Sequence, residues 1–390
     1  MSRGEETVAV GRVCPQRAAK PSGPQSGAER TPRTASLLCF LFLLVAASAF
    51  ASEHFLKPDE RVVFYPVPAW HDAAAGVWRV PVHALVFEPE RRVLTTKLLR
   101  TALGLVAEPK DAAEKRFFEA RAQLFLVDNE RGRDVNVRVG ERVFPIGKSP
   151  ANGHARGEFQ LTDAEVRSLA GADAKAISFR AILGEGDTRE FRGTAQLLGE
   201  TGLSVISDVD DTIKVTHVRD RHEVVRRTFY EPFQPVDGMA ALFHDWAARG
   251  ASFHYVSASP WQLYEPLAEF AATNGFPDGS WHLKQFRVKD GSFLALLDSP
   301  EKYKTAVIEP LLRQFPKRRF ILVGDSGERD PEIYGALARK FPTQIQRVFI
   351  RDVTSEDANA ARYEAAFKDV PAPKWRVFTK PEEIRSAVKL

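Results

Sequence analysis

Two aspartates two positions apart, Asp208 and Asp210, follow the apolar run 203–206 within the sequence DVDDT. Carboxylates delivered where a buried strand leaves its sheet can converge on a ligand beyond the carboxyl edge. The two-residue period of a strand would turn both aspartates toward one cavity, a pattern suited to phosphoryl transfer. A calcium loop of the EF-hand type begins similarly. Counting from Asp208, however, puts Ile213 where that loop needs glycine and Arg219 where it needs a bidentate glutamate. The plain alternative is a solvated acidic turn.

Three signals downstream bear on that choice. The apolar run 253–256 ends in Ser257, and Ser259 and Pro260 then read as the N-cap and first residue of a helix. Alone, Ser257 also fits a turn, and its surroundings do not form the GxSxG elbow of a hydrolase. The second signal is SPEKYK at 299–304, a capped helix start followed by Tyr303, Val307, Leu311 and Phe315 at helical spacing. Lys304 lies beside that stripe, with Lys302 as its competitor, and either also reads as an ordinary surface lysine. The third is the run 319–323 leading into GDSGERD at 324–330. Asp325 and Asp330 there suit a hard divalent cation, or else Asp330 caps a helix beginning at Pro331.

In this order, each at the end of an apolar strand or the start of a helix, the four signals resemble the haloacid dehalogenase (HAD) superfamily, whose motifs are DxDx[TV], a Ser or Thr, a Lys and GDxxx(x)D. More narrowly, VISDVDDTIK, YVSASPWQLY, SPEKYK and LVGDSGERDPEIY resemble the phosphatidate phosphatase family of the actin-patch-associated type, over roughly 195–353. The resemblance implies that Asp208 attacks phosphorus to give an aspartyl-phosphate. It implies that Asp210 protonates the leaving alkoxide and then deprotonates water, work worth about 10²- to 10⁴-fold. It further implies Mg²⁺ held by Asp208, the backbone carbonyl of Asp210 and Asp325, with Asp330 as a ligand or outer partner. Ser257 would bond a phosphoryl oxygen and Lys304 would neutralise charge on the equatorial oxygens. Lys304 is preferred over Lys302 because Lys304 and Ile308 fit the family's KxxxI spacing. Asp211 and Thr212 match the first motif, with positioning of the acid as their implied role.

The intervals Thr212 to Ser257 and Ser257 to Lys304, 45 and 47 positions, leave no room for a large cap domain. An uncapped site admits bulky substrates. Between the first motif and the helix expected at 236–250 lie Lys214, Arg219, Arg221, Arg226 and Arg227, then Phe229, Tyr230 and Phe233. Such a stretch suits an anionic membrane surface, or a charged helix whose aromatics enter the core. The resulting expectation is a magnesium-dependent phosphatase releasing phosphate from phosphatidate or a related lipid phosphate, with a diacylglycerol-type product. The alternatives are a HAD phosphatase for a soluble or polymeric phosphomonoester, and a membrane- or partner-binding protein with a vestigial site.

The chain has 390 residues, with 55 basic against 51 acidic side chains, a balance that does not call for a nucleic-acid partner. Its length suggests two domains behind a leader at 1–52. Residues 1–35 are polar, and 36–51 form an apolar run ending in an AxA-type site before Ser52. This reads as a signal peptide and a periplasmic or secreted protein, or as an uncleaved membrane anchor. Both cysteines, Cys14 and Cys39, fall in the leader. Disulfides, thiolate nucleophiles and cysteine-held zinc are therefore not expected beyond it.

Residues 53–198 read as a β-sandwich-like domain, with strands at 77–87, 123–127, 135–139, 143–146, 176–183 and 190–198 and a helix at 93–103. Residues 199–390 alternate strand and helix, with parallel strands at 203–207, 253–256, 320–323 and 345–350 and another at 282–288. That pattern is a doubly wound α/β sheet, and the resemblance makes it HAD-like with a minimal cap. Nothing in the pattern specifies an oligomeric state.

Overall fold

A computed structural model describes residues 55–89, 95–171, 174–285, 300–357 and 359–388. The leader, with its signal-peptide reading, Cys14 and Cys39, lies outside the described residues, as do 286–288 of the strand expected at 282–288. Residues 53–390 cluster as one compact unit of mixed α/β structure containing two sheets.

The second sheet has six strands in the order Gly279–Lys284, Ser252–Pro260, Leu203–Ser207, Arg319–Asp325, Ile345–Arg351 and Trp375–Phe378, every neighbouring pair parallel. All five residues of Leu203–Ser207 are buried, as a parallel strand covered on both faces requires. Alternate residues feed two cores. Val205, Phe253, Val323 and Phe349 pack with Leu242, Phe243 and Trp246 of the helix Met239–Ala248. Ile206, Val256, Leu322 and Ile350 pack instead with Ile308 and Leu312 of Pro300–Gln314 and Leu337 of Asp330–Lys340.

The chain leaves the first strand, Leu203–Ser207, toward one edge and later returns to its other side. The order of connection therefore reverses between Leu203–Ser207 and Arg319–Asp325, and ligands of open α/β sheets bind at such a switch point, beyond the carboxyl ends of the strands. Asp208 and Asp325 stand there.

The expected strands at 203–207, 320–323 and 345–350 recur within a residue or two, and Gly250 follows the Met239–Ala248 helix with φ of +97°. Trp375–Phe378 adds an edge strand. Pro310 sits inside Pro300–Gln314 without ending that helix. Between Thr212 and Lys304 the described residues form helices and two strands of the core layers, with no separate cap.

The first sheet has nine strands in one hydrogen-bonded network, branched at the long strand Val77–Glu88 and folded over an interior that includes Phe64, Phe159 and Phe179. The expected strand at 123–127 is a correction. Asp111 caps the helix Ala112–Gln123 by accepting from the backbone N–H of Ala113 and Glu114, and that helix occupies the start of the span. The helix expected at 93–103 runs Thr96–Leu103, capped by Thr95. The two sheets meet closely: Tyr65 lies 4.1 Å from Trp261 between ring centres, and the N–H of Trp281 donates to the Pro66 carbonyl at 3.1 Å.

Candidate active site

Asp208 follows the central strand directly, and its backbone N–H donates to Val323 on the neighbouring strand at 2.9 Å. That bond fixes its carboxylate at the switch point. Oδ1 meets Lys304 Nζ at 2.8 Å, and Oδ2 accepts from the Thr212 hydroxyl at 3.3 Å. Asp325 is the last residue of the adjacent strand. Its Oδ1 accepts the backbone N–H of Gly327 and Glu328, whereas its buried Oδ2 has no hydrogen-bond partner among the described residues.

Asp330 opens the next helix and leans back over this strand end. Its Oδ1 takes Lys304 Nζ at 2.5 Å and its Oδ2 the backbone N–H of Asp325 at 3.3 Å. A Cβ at Gly324 would stand 2.1 Å from Asp330 Oδ2, so the glycine of the GD pair is needed for this approach.

Lys304 therefore holds three carboxylates at once, since Glu328 joins Asp208 and Asp330 at 2.9 Å. Lys304 is fully buried and Lys302 is exposed, which settles the competition between them as a matter of position. One ammonium faces four acids, counting Asp325. Burial pushes the Asp208 and Asp325 carboxyls well above the usual range; Lys304 pulls both down, while the neighbouring acids raise them further. For Lys304 the attraction of Asp208, Asp330 and Glu328 outweighs burial and holds the proton more firmly than usual.

Oxygens of Asp208, Asp325 and Asp330 lie within 4.8 Å of one another. A buried, oxygen-only, over-acidic set with one orphaned carboxylate oxygen fits a hard divalent cation, which prefers such ligands.

Asp210 occupies an adjoining pocket, outside that trio. Its Oδ1 accepts from Lys214 Nζ at 2.8 Å and the Thr216 hydroxyl at 2.7 Å, and its Oδ2 from the Ser257 and Ser259 hydroxyls, each at 3.0 Å. Burial alone would raise this carboxyl, but the Lys214 ammonium and the surrounding donors hold it down at about 2. Asp211, at φ of +52°, accepts the backbone N–H of Thr216, His217 and Val218 and so folds the loop that carries Thr216 and Lys214.

Two expectations are corrected here. Ser259 does not cap a helix, because the strand continues through Pro260 and a short 3₁₀ turn follows; its hydroxyl turns to Asp210 instead. The basic stretch is not a surface patch either. Lys214 is buried on Asp210, Arg226 is buried in ion pairs with Glu114 and Glu231, Arg227 pairs with Glu223, and Phe229 and Tyr230 lie fully in the core. Arg219 and Arg221 remain exposed. Composition allows both readings, and the burial of Val224, Val225, Phe229 and Tyr230 turns this face of the helix Arg221–Phe229 to the core. Among residues the motifs did not single out are Glu328, which the third signal contains as GDSGERD, and Thr216.

Residues 203–352 match the family model described as the catalytic domain of phosphatidate phosphatase APP1. The chain is 39% identical over 177 residues to phosphatidate phosphatase APP1 of Saccharomyces cerevisiae, covering 42% of this chain and 29% of the yeast protein. An uncharacterized protein of Schizosaccharomyces pombe is 32% identical over 172 residues, 43% of this chain and 28% of that one. The chain thus spans under a third of the length of either relative. Among solved structures, a chain in a Pnkp1/Rnl/Hen1 complex aligns over 41% of this chain and 54% of its own with 13% identity and a TM-score of 0.26, too slight to bear on the fold.

The switch-point cluster lies within the segment that matches this catalytic-domain model. The segment 203–352 is similar to the catalytic domain of the phosphatidate phosphatase family.

Proposed function

We propose that the protein is a magnesium-dependent phosphatase of HAD-like architecture that hydrolyses phosphatidate or a related lipid phosphate. The observation that carries this reading is the meeting of Asp208, Asp325, Asp330 and Lys304 at the switch point of a parallel sheet. Asp208, Asp325 and Asp330 would hold the cation, which when bound supplies positive charge to offset the acids and the phosphate dianion.

Asp208 attacks phosphorus while the bond from phosphorus to the alkoxide oxygen breaks. Asp210 gives its proton to the alkoxide, and then takes one from the water that splits the aspartyl-phosphate, so the cycle closes with phosphate released and Asp210 reprotonated. Without substrate Asp210 is held ionised, so a phosphomonoester that binds as its monoanion would bring the proton that Asp210 first gives to the alkoxide. A phosphoryl oxygen that draws the Ser257 hydroxyl away removes one of the bonds responsible, which favours the acid form when it is needed. Lys304, anchored by Asp330 and Glu328, offsets charge building on the transferring group.

Phosphate release from phosphatidate in mixed micelles, compared with a soluble aryl phosphate, tests the substrate. Preferential turnover of the lipid is the expected result, and equal or better turnover of the soluble ester overturns it. The apolar run 36–51 supports an extracytoplasmic location, which N-terminal sequencing of the exported protein would check.

A further inference from the structure

The described residues enclose a groove of about 680 Å³ along the seam between the two sheets, within the usual range for small-molecule sites of roughly 300 to 1,000 Å³. Trp261, Trp281, Leu283 and Val307 line it from the catalytic side, and Pro68 and Pro81 from the nine-stranded sheet. We propose that this groove receives an acyl chain of the lipid phosphate, so that the N-terminal sheet forms one wall of the substrate site. The proposal rests on the lipid-phosphatase reading above and extends it to the tail of the substrate.

Continuity with the catalytic cluster is the first argument. Tyr303 lines the groove, and the next residue, Lys304, reaches Asp208. Leu283 is the register partner of Ser257 on the adjacent parallel strand, and Trp261 follows two residues after Ser259. From this end the groove follows one stripe of the helix Pro300–Gln314, formed by Tyr303, Ala306, Val307, Pro310 and Gln314. At 1.5 Å per residue that stripe is about 16 Å long, enough for a long acyl chain leaving a phosphate held at Asp208.

Charge is the second argument. Arg156, from the strand His154–Thr162, lines the same groove and has no carboxylate partner among the described residues. Tyr303 feels both Arg156 and Lys304, so both cations act on the phenol at this end of the groove. The two histidines of the lining, His83 and His282, are kept neutral by burial. The groove thus offers apolar walls and a cation, Arg156, without a carboxylate partner among the described residues. That combination matches an amphiphile with an apolar tail and an anionic head, and a soluble phosphomonoester would leave it unused.

Ala306→Phe tests the assignment, because Ala306 is exposed on the helix and a larger side chain there fills the groove without entering a core. Displacing about two methylenes should cost about tenfold in kcat/KM for long-chain phosphatidate. Turnover of a soluble aryl phosphate and of a short-chain phosphatidate should stay within about twofold, with the loss expressed in KM.

A second measurement needs no turnover. In the Asp208→Asn protein, a dibrominated long-chain fatty acid should quench the fluorescence of Trp261 and Trp281, and Ala306→Phe or Arg156→Gln should weaken that quenching. If the fatty acid quenches in this groove-dependent way while the wild-type chain leaves phosphatidate intact, the groove stands and the phosphatase reading falls. If phosphatidate of every chain length is hydrolysed equally by wild type and Ala306→Phe, and no quenching is seen, the groove assignment is overturned and the phosphatase reading survives.

Discussion

The two sheets each bury a cluster of charges, and the clusters are built on opposite plans. In the nine-stranded sheet Glu60 is fully buried, yet both its oxygens accept from Arg133 Nε at 2.8 and 2.9 Å and one also from the Lys57 backbone N–H. Glu130 closes the ring on Arg133 at 3.3 Å. At the switch point, by contrast, three carboxylates share Lys304 while a fourth, that of Asp325, keeps an oxygen with no partner among the described residues. Buried charge alone therefore does not mark a site. What marks it is charge left unbalanced, because natural selection for stability would not retain mutually repelling carboxylates without another use for them.

That contrast predicts opposite responses to removing an acid, and the largest effect falls on activity. Asp208→Asn should lower phosphate release by about 10⁴-fold or more. The same change should leave the thermal midpoint of the cation-free protein unchanged or higher, because Lys304 keeps Glu328 and Asp330 while one repelling charge is gone. A large loss of stability would show the cluster to be structural.

Glu60→Gln should do the reverse. It leaves the Arg133 guanidinium largely buried with less compensation, a loss of about 3 to 5 kcal/mol in denaturant unfolding, with specific activity of the folded protein retained.

Smaller effects come from the seam between the sheets. Burial lowers His154 and His282 each to about 4, and His83 well below its usual value. Between about pH 6.5 and pH 4 the unfolded chain binds protons that the folded one refuses, so stability is full above that window and declines as pH falls through it. The loss should approach on the order of 3 kcal/mol for each of His154 and His282, and His154→Gln should flatten the decline in unfolding curves measured across that range.

The addition of Mg²⁺ at about 100 times its dissociation constant should raise the stability of the wild type by about 3 kcal/mol. Asp325→Asn should reduce that gain and Glu60→Gln should not. Equal gains in both variants would remove the distinction between the clusters.

The acidic cluster was legible because its residues stand at strand ends, where an apolar run followed by Asp208 or Asp325 leaves the polar group few places to go. Strands covered on both faces, such as 203–207 and 320–323, likewise announce themselves by unbroken apolar runs. The surroundings of Asp210 were not legible. Ser259 carried the ordinary signature of a helix cap before proline, and Lys214 sat in a basic run whose members the fold sends in different directions. Local sequence states what a residue can bond, whereas the loop folded by Asp211 decides what it does bond. The first sheet was half legible for a related reason. Strand alternation identified 77–87 and 135–139, but in 123–127 a short apolar run followed a helix whose cap lies twelve residues upstream of its last residue.

The central claim is that Asp208 forms a covalent bond to phosphorus. Acid-quenching the protein during turnover and mapping its peptides by mass spectrometry tests this directly. The account predicts a phosphoryl group on the peptide carrying Asp208, removed by hydroxylamine and absent in Asp208→Asn. Sustained phosphate release from a wild-type protein whose Asp208 peptide stays unmodified, or retained turnover in Asp208→Asn, would contradict it.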